Sequence, residues 1–335
     1  MPAIIKRSPK IRFEFVPAQK QSTLGGLPAL EALAQQFDLW RKIRALPGLD
    51  PRTRTSHGYS PERIVAQLLY SFCSGGASLA DAERLNEEPL ARQLARVEKF
   101  ADQTQLGQWL RKPSDASIAA LWKLIAELVQ WVLARADANR WTYAGRAEVF
   151  FDDTQIEVFG PSFEGAKIND EGHRALSWQT LWFGPFLVDG QLGSPGDVSR
   201  ALPAMLQKHR PLWQERSCDF LADSGSSSAG HLQVIDQAGF THWSVSYNKW
   251  VTVPERTAAA LPQSAWSPAA QSRWRNGVEV TEQHAGLRHT VAESDFTMTL
   301  AAARWKKDDE LFWRYALSRT KAGGAIRPRS WPGTA

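Results

Sequence analysis

Cysteine is almost absent from this chain: Cys73 and Cys218 are the only two in 335 residues. Two cysteines build neither a disulfide framework nor a four-cysteine zinc site, and they fit a reducing compartment. Long apolar runs are missing as well. Met1 to Lys20 is charged and holds no apolar core of a secretory signal. The most apolar helical stretch, Ile118 to Ala134, is interrupted by Lys123, Glu127 and Gln130, so the expectation is a soluble, cytoplasmic protein with no membrane contact. The seven histidines show no His-x-x-x-His spacing. Ser224-Gly225-Ser226-Ser227-Ser228 lacks the lysine and spacing of a phosphate-cradling loop. No internal repeat is visible.

Charge of one sign is also scarce, with 40 basic against 35 acidic residues and a net charge of +5. The distribution says more than the sum. Lys6, Arg7, Lys10, Arg12 and Lys20 face one acid, Glu14, at the start, and the last 25 residues hold Arg314, Arg319, Lys321, Arg327 and Arg329 with no acid. Basic ends suit either solvated tails or a polyanionic partner. With 43 % hydrophobic and 22 % charged residues, the chain can bury a core, and its length suits two or three domains.

From Leu24 to about Asn139 the pattern is helical. Ser60 is placed to cap a helix with Pro61 at its first position, and Ile64, Leu68, Leu69 and Phe72 then share a face until Gly75-Gly76. Ser78 and Asp81 have capping-box spacing. A third start at Ser114 leads into the stripe Ile118, Leu121, Ile125, Leu128 and Val132. These stripes read as the core of a helical domain over 22–140, preceded by a basic tail over 1–21.

At Ala147 the period changes. Glu148 to Phe151 reads as a strand entering Asp152-Asp153-Thr154 and continuing extended from Gln155 to Phe159. Leu176 to Val188 is a second extended stretch broken at Gly184-Pro185, with a further turn expected at Asp189-Gly190. Val198 to Trp213 is helical, Ser217 to Ala222 a strand ending in Asp223, Gly230 to Ala238 a helix and Thr241 to Tyr247 a strand. The order β–β–β–α–β–α–β gives a meander, then a crossover to a strand parallel to the first. That is an α/β, RNase-H-like mixed sheet over 147–250, following the helical domain. From 251 to 317 the chain reads as a β-rich insertion, loop-like around Pro254, Pro262 and Pro268, with alternation in Glu279 to Glu282 and Phe296 to Leu300. Residues 318–335 read as a disordered tail.

If the fourth strand lies beside the first, Asp152 and Asp223 emerge at neighbouring carboxyl ends, where open α/β sheets bind ligands. Two such carboxylates make a hard-oxygen site suited to Mg²⁺ or Mn²⁺. A third acid would complete a two-ion site for in-line phosphoryl transfer.

The segment from Phe151 to Gly160, with Glu164-Gly165-Ala166 after it, resembles the first catalytic block of insertion-sequence transposases of the DDE type. Gln191 to Val198 is similar to that family's turn before the crossover helix, and Phe220-Leu221-Ala222-Asp223-Ser224-Gly225 to its second block. Gly25-Gly26-Leu27, His57-Gly58-Tyr59-Ser60, Gly75-Gly76 and Leu79-Ala80-Asp81 stand at family-like positions, so the resemblance spans roughly 22 to 317. It implies Asp152 and Asp223 as catalytic metal ligands, Mg²⁺ or Mn²⁺ as cofactor, and DNA at terminal inverted repeats as partner, with a homodimer allowed. The family's third acid follows a Tyr-x-x-Arg-x-x-x-Glu pattern that this chain lacks. Tyr315 is followed three residues later by Ser318, and Glu310 is a poor substitute. The expectation is therefore an incomplete transposase, truncated or frameshifted at its end and weakly active or inactive. Two other readings stay open: a remnant that binds DNA without chemistry, and a carbohydrate hydrolase using paired carboxylates. The 15 tryptophans, Trp178 and Trp182 among them, suit core packing, base stacking or sugar stacking.

Overall fold

In the computed structural model the described residues are 24–52, 58–137, 142, 145–160, 162–169, 171–247, 252–267, 271–275, 278–290, 297–307 and 310–320. The expected basic tail, His57 and the stretch from 321 onward lie outside them. The chain divides into two compact units, one through Val132 and one from Leu133.

The first unit is helical: α1 Leu27–Phe37, α2 Leu39–Arg44, α3 Pro61–Cys73, α4 Leu79–Arg84, α5 Pro89–Ala95, α6 Gln103–Leu110 and α7 Asp115–Leu133. The capping box at Ser78 forms as its spacing predicts, with the hydroxyl accepting from Asp81 N and the Asp81 carboxylate accepting from Ser78 N. Sequence spacing did not reveal the second box, Asp102 with Gln105 at the start of α6. By length and composition α7 is long and apolar enough to cross a bilayer, despite Lys123 and Glu127. Its Leu121, Leu124 and Leu128 pack against a core of Phe37, Ile43, Ile64 and Leu106.

The face of α3 differs from the expected one. Phe72 is 62 % exposed, while Gln67 and Tyr70 are fully buried. Polar reach decides this. Gln67 Nε2 donates to the carbonyls of Ala82 (3.0 Å) and Ala101 (2.8 Å), and its Oε1 accepts from Ala101 N (3.1 Å). Tyr70 donates to the buried Glu31 carboxylate at 2.7 Å, which also accepts from the Trp40 indole. Five segments, α1 to α4 and the stretch before α6, are thereby stitched by groups that an apolar stripe does not display.

The second unit is built on a ten-stranded sheet. Its strands are β1 Ala147–Glu157, β2 Lys167–Ile168, β3 Arg174–Phe183, β4 Phe186–Gly193, β5 Cys218–Ala222, β6 His242–Ser246, β7 Gln271–Arg275, β8 Val278–Thr290, β9 Thr297–Lys307 and β10 Glu310–Thr320. Helices α8 Val198–His209, α9 Ala229–Gln237 and α10 Thr252–Ala259 lie between them in sequence. β3 pairs antiparallel with β1 and with β4, while β5 runs parallel to β1 and β6 parallel to β5. The spatial order β4–β3–β1–β5–β6 is the RNase-H-like mixed sheet read from the sequence.

Alternation sorts the side chains. Val149, Phe151, Leu181, Phe183, Phe220, Trp243 and Val245 share one face and are at most 3 % exposed. Helix α9 and its flanks cover this face. Phe240 stacks on Phe220 at 5.0 Å and meets Trp213 in a tilted contact at 5.2 Å, and the Trp243 indole donates to Asp236 on α9.

Three readings are corrected. Asp189-Gly190 is no turn, because β4 continues through it, with a shift in its pairing to β3 at Val188. Asp189 is 5 % exposed and one of its oxygens accepts from both Lys208 and His209 at 2.8 Å, tying the end of α8 to the sheet. Pro254 lies in the first turn of α10, where its missing N–H costs nothing. Finally, the β-rich stretch does not stop at Leu317. β10 pairs antiparallel with β6 from Ala316↔Ser246 to Thr320↔His242, so the meander extends the same sheet and runs past Leu317.

Two outcomes are expected. Gln67→Leu orphans buried backbone groups and should cost about 1–3 kcal/mol, whereas Phe72→Ser should change stability by no more than about 0.5 kcal/mol; denaturant midpoints compare them. Burial alone would push the Asp189 carboxyl up, but hydrogen bonds from His209 and Lys208 and the Lys208 charge hold it below the ordinary carboxylate value. That contribution is present at neutral pH and is lost as pH falls through the lowered pKa. Asp189→Asn should therefore cost about 1–3 kcal/mol at neutral pH, and the difference from the natural chain should shrink on acidification below about pH 4.

Candidate metal centre

The parallel ladder of β1 and β5 ends at Phe151↔Ala222. The next residue on each strand is an aspartate, Asp152 and Asp223. Asp223 keeps extended backbone angles (φ −82°, ψ 179°), so the alternation carries one step further and both carboxylates project from the same face. Neighbouring strands stand about 4.8 Å apart. Both residues are exposed, on the face opposite Val149 and Phe151.

Each carboxylate is oriented by one local donor. Thr154 Oγ1 donates to Asp152 Oδ2 at 2.6 Å, and Gly225 N donates to Asp223 Oδ1 at 2.7 Å. The second oxygen of each is left uncommitted among the described residues. Two oriented carboxylates, each with an uncommitted hard oxygen, fit a Mg²⁺- or Mn²⁺-sized ion.

Asp153, one residue along β1, points to the other face. It is half-buried and accepts from the Ser177 hydroxyl, which in turn accepts from Gln179 Nε2 at 2.7 Å. Burial is the largest influence on Asp153 and pushes its carboxyl above the ordinary value. The charges of Asp152 and Asp223 push the same way, against hydrogen bonds from Ser177 and Gln179. The parallel ladder ends here, but β1 itself runs on to Glu157, so Asp152 stands within the strand and only Asp223 follows a strand end. This supporting network was not legible from spacing, because Ser177 and Gln179 lie a hairpin away from Asp153.

Other expected positions fall into place around the pair. Gly165, at φ 78°, offers its carbonyl to Ser194 Oγ at 2.6 Å, joining the Glu164-Gly165-Ala166 segment to the turn before α8. Gly193 closes β4 just before that turn, and a Cβ there would stand 2.9 Å from Asp197 Oδ2, so the Asp197 carboxylate would have to shift. Glu310 opens β10 opposite Lys307, at the far end of the insertion meander. Sequence reading also missed an exposed trio, Glu157, Glu171 and His173, whose ligand-type atoms lie within 4.8 Å of one another. His173 Nδ1 and Glu157 Oε1 are 2.6 Å apart. Among the described residues this trio is the one group of three or more such side chains, and it includes neither Asp152 nor Asp223.

No family model and no curated protein matches the chain. Among solved structures it is similar to the Mos1 strand transfer complex, with 15 % identity over 57 % of this chain and 60 % of that one, at a TM-score of 0.21. It is also similar to the Mos1 transposase paired-end complex with left transposon end, with 14 % identity over 60 % of this chain and 63 % of that one, at a TM-score of 0.22. The chain thus spans about three fifths of the length of these proteins. The register of β1 against β5, not this likeness, fixes where the two carboxylates stand.

Proposed function

We propose that this protein is of the DDE transposase class, with Asp152 and Asp223 gripping a divalent cation for DNA strand cleavage and transfer. One observation carries the reading: two oriented carboxylates leave adjacent parallel strands on one face of an RNase-H-like sheet. The two residues hold the ion through their uncommitted oxygens. Thr154 and Gly225 N orient the carboxylates, and the last pair of the β1–β5 ladder sets the spacing between them. A bound Mg²⁺ or Mn²⁺ supplies charge neutralisation at the phosphate and activation of a water or 3′-hydroxyl. In this reading 22–140 is a helical domain, 147–250 the catalytic core and 251–317 an insertion. The partner is DNA at terminal inverted repeats, bound by a cytoplasmic homodimer.

A second reading is favoured by the acid count. Among the described residues no third His, Cys, Asp or Glu forms a ligand-spaced group with Asp152 and Asp223, and Asp153 turns away to Ser177. Phosphoryl transfer depends on full neutralisation of developing charge. A two-carboxylate site therefore suits a protein that binds DNA and metal but turns over weakly or not at all.

Calorimetric titration with Mn²⁺ tests the site. Asp152→Asn or Asp223→Asn should weaken binding by at least about 10–100-fold, the range typical of residues that merely orient metal ligands. Unchanged Mn²⁺ affinity in both variants would overturn the assignment. A Mg²⁺-dependent cleavage assay on terminal-repeat DNA separates the two readings: turnover abolished by Asp152→Asn supports the transposase, and salt-sensitive binding without cleavage supports the remnant.

A further inference from the structure

The two carboxylates are steadied by donors of unequal firmness. Asp152 takes its hydrogen bond from Thr154, a residue held in the β1–β3 ladder opposite Trp178. Asp223 takes its own from Gly225 N at 2.7 Å, and Gly225 lies in the single turn Ser224–Ser226, past the end of β5. It is exposed and has no side chain to hold it. Glycine is the residue with the widest backbone freedom. An amide aimed by it keeps its direction where the glycine is itself fixed.

What fixes it comes from α9. The half-buried His231 ring donates a hydrogen bond to the Gly225 carbonyl. Its Nδ1 is enclosed and has no hydrogen-bond partner among the described residues. The nitrogen that meets the carbonyl is therefore Nε2, and the neutral ring carries its proton there. Burial is the larger influence on His231 and holds its pKa below the ordinary histidine value, against the bond to Gly225, so the ring is neutral at neutral pH. The helix behind the ring is firmly set: Leu232 and Ile235 are 0 % exposed, and Ser228 Oγ accepts from His231 N at 3.3 Å. Other bonds tighten the turn, from Ser226 N to Asp223 O (3.1 Å) and from Ser227 Oγ to Ser224 O (2.7 Å), but neither uses the Gly225 carbonyl. Gly225 is thus held at both ends, its N–H by Asp223 and its carbonyl by His231.

We infer that His231 is a positioning residue of the metal centre: through the Gly225 carbonyl it fixes the amide that aims the Asp223 carboxylate at the cation. The inference rests on the metal-binding reading of Asp152 and Asp223 and adds to it a residue that touches neither the ion nor its ligands.

Calorimetric Mn²⁺ titration of the full chain tests it, with Asp223→Asn as the reference. His231→Phe keeps a ring of similar size without the donor and should weaken Mn²⁺ binding about 10–100-fold. His231→Gln keeps a donor near the Nε2 position without the ring and should retain most of the affinity. Gly225 has room for a methyl group, since a Cβ there would meet Asp223 Oδ1 at an ordinary 3.7 Å. Adding Gly225→Ala to His231→Phe should therefore recover part of the loss by stiffening the turn. If the histidine only packs, the order reverses: His231→Phe binds Mn²⁺ normally and His231→Gln loses affinity together with thermal stability. That pattern overturns the inference. Pulsed paramagnetic resonance of Mn²⁺ on the natural chain should show no directly coordinated imidazole nitrogen. Such a nitrogen, lost in His231→Phe, would make His231 a ligand and overturn the positioning role, whatever the stability of the other variants. If Asp223→Asn loses Mn²⁺ while both His231 variants keep it, the inference falls and the metal-site reading survives. If Asp152→Asn and Asp223→Asn bind Mn²⁺ as the natural chain does, both fall.

Discussion

The second unit depends on one pairing, the parallel ladder from Ala147↔Cys218 to Phe151↔Ala222. These strands are far apart in sequence, and a parallel pair has no short turn to hold it. Burial on one face holds it instead. Val149 and Phe220 meet across the ladder with 0 % exposure, and Phe240 and Trp213 close over them. At roughly 1.5–3 kcal/mol for each large side chain buried, this cluster outweighs any effect of the acids. The carboxylates therefore ride on a framework that the aromatic core has already fixed. Ion binding does not have to assemble it.

Two neighbouring residues show how strongly the pleat decides chemistry. Asp152 and Asp153 are identical side chains one step apart on β1. One faces outward beside Asp223. The other turns inward to Ser177 and Gln179, where burial and its acidic neighbours raise its pKa. A one-residue slip of the strand would exchange their roles and turn Val149 and Phe151 away from the core. The hydrophobic pattern thus sets which acid is offered to a cation.

Much of this was legible from residue order. The extended run through Asp152, the strand that leads into Asp223, the helix between them and the Ser78 capping box all follow from local rules, and each forms. What stayed hidden depends on partners distant in sequence. Asp189-Gly190 has turn chemistry, yet Lys208 and His209 draw Asp189 into the sheet. Phe72 fits an apolar stripe, but Gln67 and Tyr70 find buried partners and rotate the helix face. The union of β10 with β6 is a non-local pairing that no turn signal announces.

That union carries a geometric consequence for anything lying on the sheet. Successive strands rotate by about 20–25°, and five steps lead from β1 through β5, β6, β10 and β9 to β8. The accumulated turn is about 100–125°. A stiff, straight rod laid over the aspartates would leave the surface before reaching β8, so a ligand that touches both ends of this propeller must be flexible or bent.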